Sequence, residues 1–377
     1  MDIHADVVTA HYPGEIPDFV EREMERLYGS VYSSMAHFRI HGGLDKASTY
    51  VARRDGRIVA LFLFRREWDR VRVINEGVFA DAAEIDRFAD HVFAHFPWVT
   101  AILFHAFHLR GGDPRRPCQR IACGEDIVAD LPAAVDDYVA RLGSATRKNI
   151  RKHLHRIERD FPTFRMDVLD VRSGDVIDEG DVRAIIGFNH ARMDGKGKVS
   201  VIDERKTANI LRLARQRGFM TRASIDGRIC AGTIGLRIGD TVVSLVNAHD
   251  PHYDDHRLGT VCCFLTVCAA IERGARRFDF MWGRYDYKTA LLGAHHELSR
   301  YIVYRSRLAL ALNGVTALRT ACAGRLREAK LGLLARADAA GDAPAPLLIR
   351  CVNAARRAKK ALQPGQSRAM PPDALPP

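Results

Sequence analysis

The sequence predicts an α+β fold, an α/β sandwich in which one small unit of strands and helices occurs twice. Three observations predict it. Ala52-Arg53-Arg54-Asp55-Gly56-Arg57-Ile58-Val59-Ala60 reads in register with Ala223-Ser224-Ile225-Asp226-Gly227-Arg228-Ile229-Cys230-Ala231, 171 residues later, with Ala, Asp, Gly, Arg, Ile and a second Ala recurring. In each copy Asp-Gly lies between two apolar runs, which signals a hairpin because glycine accepts the positive φ of a tight turn. A similar order of elements then follows each hairpin: another strand, a helical stretch and a short apolar strand.

A chain of 377 residues exceeds one ordinary core, so two domains are expected. Its 47% apolar and 27% charged residues are those of a soluble globular protein. The longest apolar run, Leu258–Ile271, has 14 residues, short of the about 18 that a membrane helix needs. Met1-Asp2-Ile3-His4 lacks a basic-then-apolar leader pattern, and a cytoplasmic location is expected. None of the eight cysteines forms a CxxC pair and several lie in apolar runs, so they read as buried reduced thiols and no metal is expected. The charge is uneven. From Arg305 onward thirteen Lys and Arg face four acidic residues, a net +9 of the chain's total +11. Such a tail suits either an acidic surface, including an anionic membrane, or simple solvation.

The first copy spans 1–130. Residues 17–36 pattern as a helix with Phe19, Val20, Met24 and Leu27 on one stripe. Hairpin strands over 48–54 and 57–65 follow, then a strand over 70–75. Asp81 and Glu84 open a helix that runs to Phe96, with Pro97 just beyond it. Val99–His105 reads as a strand and Gly111-Gly112-Asp113-Pro114 as a loop. Residues 131–163 form a connector. There Pro132 begins a helix that passes a break at Gly143-Ser144, with Ile150, Leu154 and Ile157 on one face and Arg147, Lys148, Arg151 and Lys152 on the others, and Pro162 stops it.

The second copy spans 164–305. A strand over 164–171 precedes a helix over 179–193, the loop Met193-Asp194-Gly195-Lys196-Gly197-Lys198, and a helix over 203–217 stopped by Gly218. The repeated hairpin takes 219–238, and Gly239-Asp240 turns the chain into the strand Thr241–Asn247. Asp250-Pro251 opens a polar loop before a helix over 259–273, whose C′ position suits Gly274. Arg276–Met281 alternates as a strand, with Phe278 and Phe280 on one face and Asp279 on the other. The tail, 306–377, reads as helical, with a break over 341–346, a second helix over 347–362 and a disordered end.

Four constellations carry chemistry. At His256-Arg257-Leu258-Gly259-Thr260 a loop meets a helix N-terminus, whose unpaired N–H groups, with the charge of Arg257, suit a pyrophosphate or another anion; an ordinary helix start reads the same. Asp279-Phe280-Met281-Trp282-Gly283-Arg284-Tyr285-Asp286-Tyr287-Lys288 leaves a strand end. Asp279 or Asp286 is able to accept a proton there, and Lys288 to stabilise an oxyanion or hold a phosphate. Asn189-His190-Ala191-Arg192 with the Gly-Lys-Gly-Lys loop attracts anions without the spacing of a phosphate-binding P-loop. The basic helix 144–159 is able to bind phosphate but lacks the aromatic interleaving of a base-stacking surface. No local signature of a Ser/His/Asp or Cys/His catalytic set is present in the sequence.

These pieces resemble the tandem GNAT-like proteins of the FemAB and BioF2-like acyltransferase group. The likeness is carried by Leu142–Phe161 with its Ser-x-x-Thr-Arg-Lys-Asn-x-Arg run, by Asn189–Lys198, and by Asp226-Gly227-Arg228 to Gly232. It continues through His249-Asp250-Pro251-x-Tyr253, Leu258-Gly259-Thr260, and Gly274-Ala275-Arg276-Arg277-Phe278-Asp279-Phe280 leading to Tyr287-Lys288. It covers 140–305, and over 1–130 rests on element order and the hairpin. The resemblance implies two GNAT-like modules, each a mixed, mainly antiparallel sheet flanked by helices. It implies transfer of an acyl group, acetyl foremost, from acyl-CoA to an amine or hydroxyl of an envelope or polysaccharide-related acceptor. Transfer from aminoacyl-tRNA and a noncatalytic anion- or membrane-binding module are the alternatives.

By the same resemblance Gly259 and Thr260 occupy the phosphate-loop position and Lys288 the place of an acceptor phosphate or developing oxyanion; Arg257 and Leu258 are expected to bind the donor with Gly259 and Thr260. Lys288, Asp279 and Tyr287 would be catalytic, and Asn189, Arg192, Asn247, Trp282 and Tyr285 would meet the acceptor. The chain departs from ordinary GNAT enzymes in keeping only part of the Arg-x-x-Gly-x-Gly/Ala loop, a reduction also common in the BioF2-like group.

Overall fold

The computed structural model describes residues 7–195, 197, 200–314, 318 and 322. In chain order the first elements are β1 (Val7–Tyr12), α1 (Phe19–Tyr28), α2 (Met35–His41), β2 (Ser48–Arg54), β3 (Arg57–Glu67), β4 (Arg70–Val73), β5 (Val78–Asp81), α3 (Ala82–His95), β6 (Ala101–Arg110), β7 (Cys118–Asp130), α4 (Val135–Arg141) and α5 (Ser144–Asp160). There follow β8 (Arg165–Asp170), α6 (Glu179–Gly195), α7 (Glu204–Arg217), β9 (Gly218–Ile225), β10 (Arg228–Ile238), β11 (Thr241–His249), α8 (Leu258–Glu272), β12 (Arg277–Asp279), α9 (Asp286–Ala290), β13 (Ala294–Tyr304) and α10 (Arg307–Leu312). The fold is mixed α and β, with strands mostly antiparallel and helices flanking them.

The chain divides into two compact units of interleaved segments: Met1–Asp18, Gly43–Gly124 and Glu297–Pro377 in the first, Phe19–Gly42 and Glu125–His296 in the second. The first unit orders its strands β1-β2-β3-β4-β6, with β5 beside β6, followed by β13. The second orders them β12-β11-β10-β9-β8, with Glu125–Asp130 of β7 next to β12. Each unit turns parallel after its hairpin: β4 pairs with β6 over Arg70–Arg72 and β5 with β6 over Val78–Asp81 in the first, and β11 with β12 over Thr241–Val243 in the second.

The internal repeat is structural down to single residues. Both turns place Asp and Gly at positive φ, Asp55 and Asp226 near 51–52° and both glycines at 73°. That is the mirror-image turn whose twist matches the flanking strands. Both hairpins also carry the same irregularity. Arg53 pairs with Ile58 and Ala52 with Ala60, so Val59 is extra; Ser224 pairs with Ile229 and Ala223 with Ala231, so Cys230 is extra.

The first unit's core is aromatic, with Tyr50, Phe62, Phe64, Phe88, Phe104 and Phe107 all buried and α3 laid against the sheet. In the second, α6 and α7 pack on Met220, Ile234, Val246 and Ala248, while α4 and α8 cover Phe219, Val242 and Phe278 on the other side. Twelve of the fifteen residues of α8 are buried, which explains its uninterrupted apolar run. No described helix is long and apolar enough to cross a membrane.

Several expected elements change. The helix expected over 17–36 breaks into α1, a 3-10 turn Val31–Ser33 and α2, because Gly29 turns at φ 58° and the Ser34 side chain caps α2 at His37 N. The connector helix starts at Val135, not at Pro132, while its expected break is present where Leu142 and Gly143 go extended. Helix α6 runs on through Gly195, while Lys196 and Lys198 of the expected loop lie outside the described residues. β1, β5, β7 and β13 had no counterpart in the sequence reading. The strand expected over 276–281 ends at Asp279. Of the basic tail, only α10 and a few residues near it are described, and the second tail helix lies outside.

Gly56→Ala and Gly227→Ala are each expected to destabilise the protein by about 1 kcal/mol, the cost of a left-handed conformation for an L-residue. No clash adds to it, since nothing lies within 4 Å of a Cβ at either position. Urea denaturation of each variant measures the loss.

Candidate active site

The second unit opens where β11 leaves β12. The two strands pair only over Thr241–Val243 and Arg277–Asp279. β11 then bulges, since Val246 faces Ile234 but Ser244 faces Gly235, leaving Leu245 extra. Beyond the bulge β11 continues to His249 with β10 as its partner on one side. On the other side no described strand pairs with Ser244–His249, so the backbone edge there is free for a chain-like ligand or water. A bulge re-aims side chains and ends pairing, and such irregularities collect at functional sites.

The N-terminus of α8 closes one end of this wedge. Arg257 caps it at φ 54°, exposed, and its carbonyl accepts the N–H groups of Thr260 (3.0 Å) and Val261 (3.2 Å). The first turn holds no acidic residue. The earliest N–H groups of a helix have no acceptor within it, so this end is suited to an anion. Leu258 is buried, so only its backbone is available to a donor, and Thr260 is half-buried. At Gly259 a Cβ would stand 2.5 Å from His249 Nδ1, so the glycine admits the His249 ring rather than open space. His249 Nε2 lies 2.7 Å from Asp254 Oδ1, which holds the imidazole in place.

Asn247 joins this helix end to the Tyr-Lys segment. Its Nδ2 donates to Gly259 O at 3.4 Å, and its side chain hydrogen-bonds Tyr287. Thr233 Oγ1 donates to Asn247 Oδ1 at 3.2 Å, and Thr266 and Thr221 extend that buried ladder at 3.2 and 2.7 Å. Burial pushes the Tyr287 phenol up, while the Arg192 guanidinium opposes this. Arg192 Nε is itself buried and has no hydrogen-bond partner among the described residues. Asn189, one turn earlier on α6, accepts from Ser200 Oγ at 3.2 Å. His190 Nε2 lies 2.9 Å from Ile202 O, which fixes the end of α6 to the following turn.

Asp279 ends β12, and its carboxylate accepts Met281 N–H at 2.7 Å, turning the chain through Met281 at φ 59°. Asp126 of β7 hydrogen-bonds Asp279. Burial raises both carboxyls above their ordinary range, and the charge of Asp279 adds to the rise at Asp126, so the two share a proton. Lys288, only 3% exposed, donates from Nζ to the carbonyls of Phe280 (2.8 Å), Met281 (3.1 Å) and Trp282 (2.6 Å). Burial pushes its pKa down to about 8, with Asp279 and Asp126 pulling the other way. Tyr285 is exposed, its ring 5.5 Å from Nζ and stacked on Tyr287. Trp282 stacks on Tyr32.

The structure thus brings together Lys288, Asp279, Tyr287, Asn247 and Gly259, with Arg192 beside Tyr287. Asp126, the His249–Asp254 pair and the threonine ladder were not singled out by the sequence reading. Asp126 lies on a strand the pattern did not disclose, whereas His249-Asp250-Pro251 was visible as a motif.

Comparisons with known proteins bear on the fold. Residues 144–289 match the family described as the acetyltransferase (GNAT) domain. The crystal structure of FemX superposes with a TM-score of 0.53 at 10% identity, over 81% of this chain and 99% of that one. L-PGS from Bacillus licheniformis matches at a TM-score of 0.45 and 14% identity, over 84% and 97%. A tandem GNAT protein from the clavulanic acid biosynthesis pathway matches at 0.36 and 11%, over 79% and 98%. No curated protein matches the chain in sequence. That family match lies within the second unit and supports an acyltransferase.

Asp126→Asn is expected to stabilise the protein at neutral pH and to change little near pH 4. A carboxyl with a raised folded-state pKa favours the folded state at low pH and opposes it as pH rises through that value. Melting temperatures of both proteins, from about pH 4 to about pH 8, test this; parallel curves would refute a shared proton.

Proposed function

We propose that the second unit transfers an acyl group, acetyl in the simplest case, from acyl-CoA directly to an amine or hydroxyl. The observation that carries this reading is the edge of β11 that no described strand pairs, which ends at the basic N-terminus of α8, where the N-cap Arg257 makes no side-chain cap, bridged by Asn247 to Tyr287 and Lys288. The donor's phosphates would sit at Arg257, the N–H groups of Leu258 and Gly259 and the Thr260 hydroxyl, and its extended arm would pair along the free edge. The carbonyl to be attacked would then lie near Tyr287.

Asp279, its carboxyl raised above the ordinary range by burial and hydrogen-bonded by Asp126, would take the proton of the attacking amine or hydroxyl. Lys288 would supply positive potential for the developing oxyanion, besides holding the 280–282 turn. Arg192, Asn189, Trp282 and Tyr285 would receive the acceptor, with the unpartnered Arg192 Nε suited to an anionic group on it. An envelope or polysaccharide precursor fits the resemblance to the FemAB and BioF2-like group. The basic tail would bring the enzyme to an anionic membrane from the cytoplasmic side.

A second reading has its own support. Ser144, Arg147, Lys148, Arg151, Lys152 and His155 of α5 line an open groove of about 540 Å³ with four cationic side chains. That surface suits the phosphate backbone of an aminoacyl-tRNA donor.

Thermal shift with acetyl-CoA, longer acyl-CoAs, free CoA and charged tRNA separates the readings. On the first, a CoA thioester stabilises the protein more than free CoA does, and Arg257→Ala reduces the shift. Stabilisation by tRNA alone, lost steeply with added salt, would replace it with the second. Silence with every donor would leave a noncatalytic module. Lys288→Ala is expected to lower turnover ~10²–10³-fold. Turnover unchanged in a variant that melts like the parent would remove Lys288 from the chemistry.

A further inference from the structure

The first unit holds a cluster that the transferase site does not use. His91 and His95 lie one turn apart on α3, and His11 on β1 faces them. One ring nitrogen from each of the three lies within 4.8 Å of the others. His11 Nδ1 is 2.8 Å from His91 Nε2. The ring centroids of His11 are 4.9 Å from His91 and 5.0 Å from His95, and those of His91 and His95 are 4.0 Å apart.

The outer nitrogens are already engaged in the manner of metal-bound imidazoles. His95 Nδ1 lies 2.9 Å from the carbonyl of His91, to which it donates, and this leaves Nε2 with its lone pair. His91 Nδ1 lies 3.4 Å from Thr9 Oγ1, which again leaves Nε2 for the cluster. Ligating histidines are oriented by such a bond from the second ring nitrogen. Tyr50 packs on His91 and Phe96 on His11, so aromatic walls flank the cluster while His95 stays exposed.

We propose that His11, His91 and His95 form a binding site for a borderline divalent transition ion such as Zn²⁺, with water in the fourth position. Ligand nitrogens at ~2.0–2.1 Å from a tetrahedral zinc stand roughly 3.4 Å apart, so side-chain shifts of about an ångström close the set. Three neutral imidazoles without a thiolate or carboxylate suit zinc, copper, nickel or cobalt and disfavour magnesium or calcium. The ion would tie β1, a terminal strand of its sheet that pairs with β2, to α3. The role is structural, and it lies apart from the acyl-transfer residues in sequence and in unit.

The test uses the full chain without a histidine tag, stripped with chelator and titrated calorimetrically with Zn²⁺ alone, beside thermal melts. One equivalent is expected to bind saturably and to raise the melting temperature. His95→Gln, an exposed change that leaves packing intact, is expected to weaken binding ~100-fold or more, and His11→Gln likewise. Thr9→Val, which removes only the orienting bond, is expected to weaken it about tenfold. No saturable one-to-one binding, or binding that His95→Gln and His11→Gln leave unchanged, would overturn the site. Acyl-transfer activity enters none of these readouts.

Discussion

A buried ammonium group must find partners, and the second unit is organised around how Lys288 finds them. Its three donors go to three consecutive carbonyls, Phe280, Met281 and Trp282, where the chain leaves β12. Without a cation these three carbonyls would be buried with no donor beside the Asp126–Asp279 pair. The lysine therefore braces the left-handed turn at Met281, just where β12 ends and β11 runs on without it.

The duplication shows why a single copy carries this device. In the first unit, β6 pairs with β4 over Ala101–Leu103, and its next stretch, Phe107–Arg110, is taken by β5. The wedge of the first unit is filled by its own chain. The helix that follows differs in charge as well. α3 starts from Asp81 and carries Glu84 in its first turn, whereas α8 starts from Arg257 and has no acid there. Carboxylates at a helix N-terminus satisfy the dipole from within, and an arginine there leaves it to a ligand. Two copies with one turn chemistry thus differ at the two features that decide anion binding.

Much of this was legible in the sequence. The Asp-Gly turns, the order of elements, the helix from 82 and the C′ glycine at 274 follow from local rules, and the structure has them where those rules put them. The strands that were not legible are β1, β5, β7 and β13. β7 shows why: most of its residues are only partly buried, with no clean alternation to read. Asp126 was hidden with it. Gly259 was readable as a glycine that some group approaches, but the group is His249, and only the fold brings that ring to 2.5 Å. Lys288 was visible as a charged residue in an aromatic loop, while its burial depends on three carbonyls that a sequence does not show to converge. His11 and His91 are eighty residues apart, so spacing rules for metal ligands had nothing to act on.

The state of the thiols bears on how an acyl group would move. Cys263 lies one turn into α8 from Gly259, close enough to Lys288 and Tyr287 to interact electrostatically with both, so it is the thiol best placed to attack a bound thioester. Its burial pushes its pKa up to about 12 even with Lys288 nearby, and Cys230 and Cys268 reach about 12 as well. A thiol at that value holds almost no thiolate at neutral pH, and the thiolate is the nucleophile. A ping-pong route through an acyl-cysteine would require the core of α8 to open. Direct attack by the acceptor would need only a base, and on the proposed function the Asp126–Asp279 pair would supply it without disturbing the helix. On the proposed function, the same burial that keeps α8 rigid enough to present its N-terminus also removes its cysteines from the chemistry.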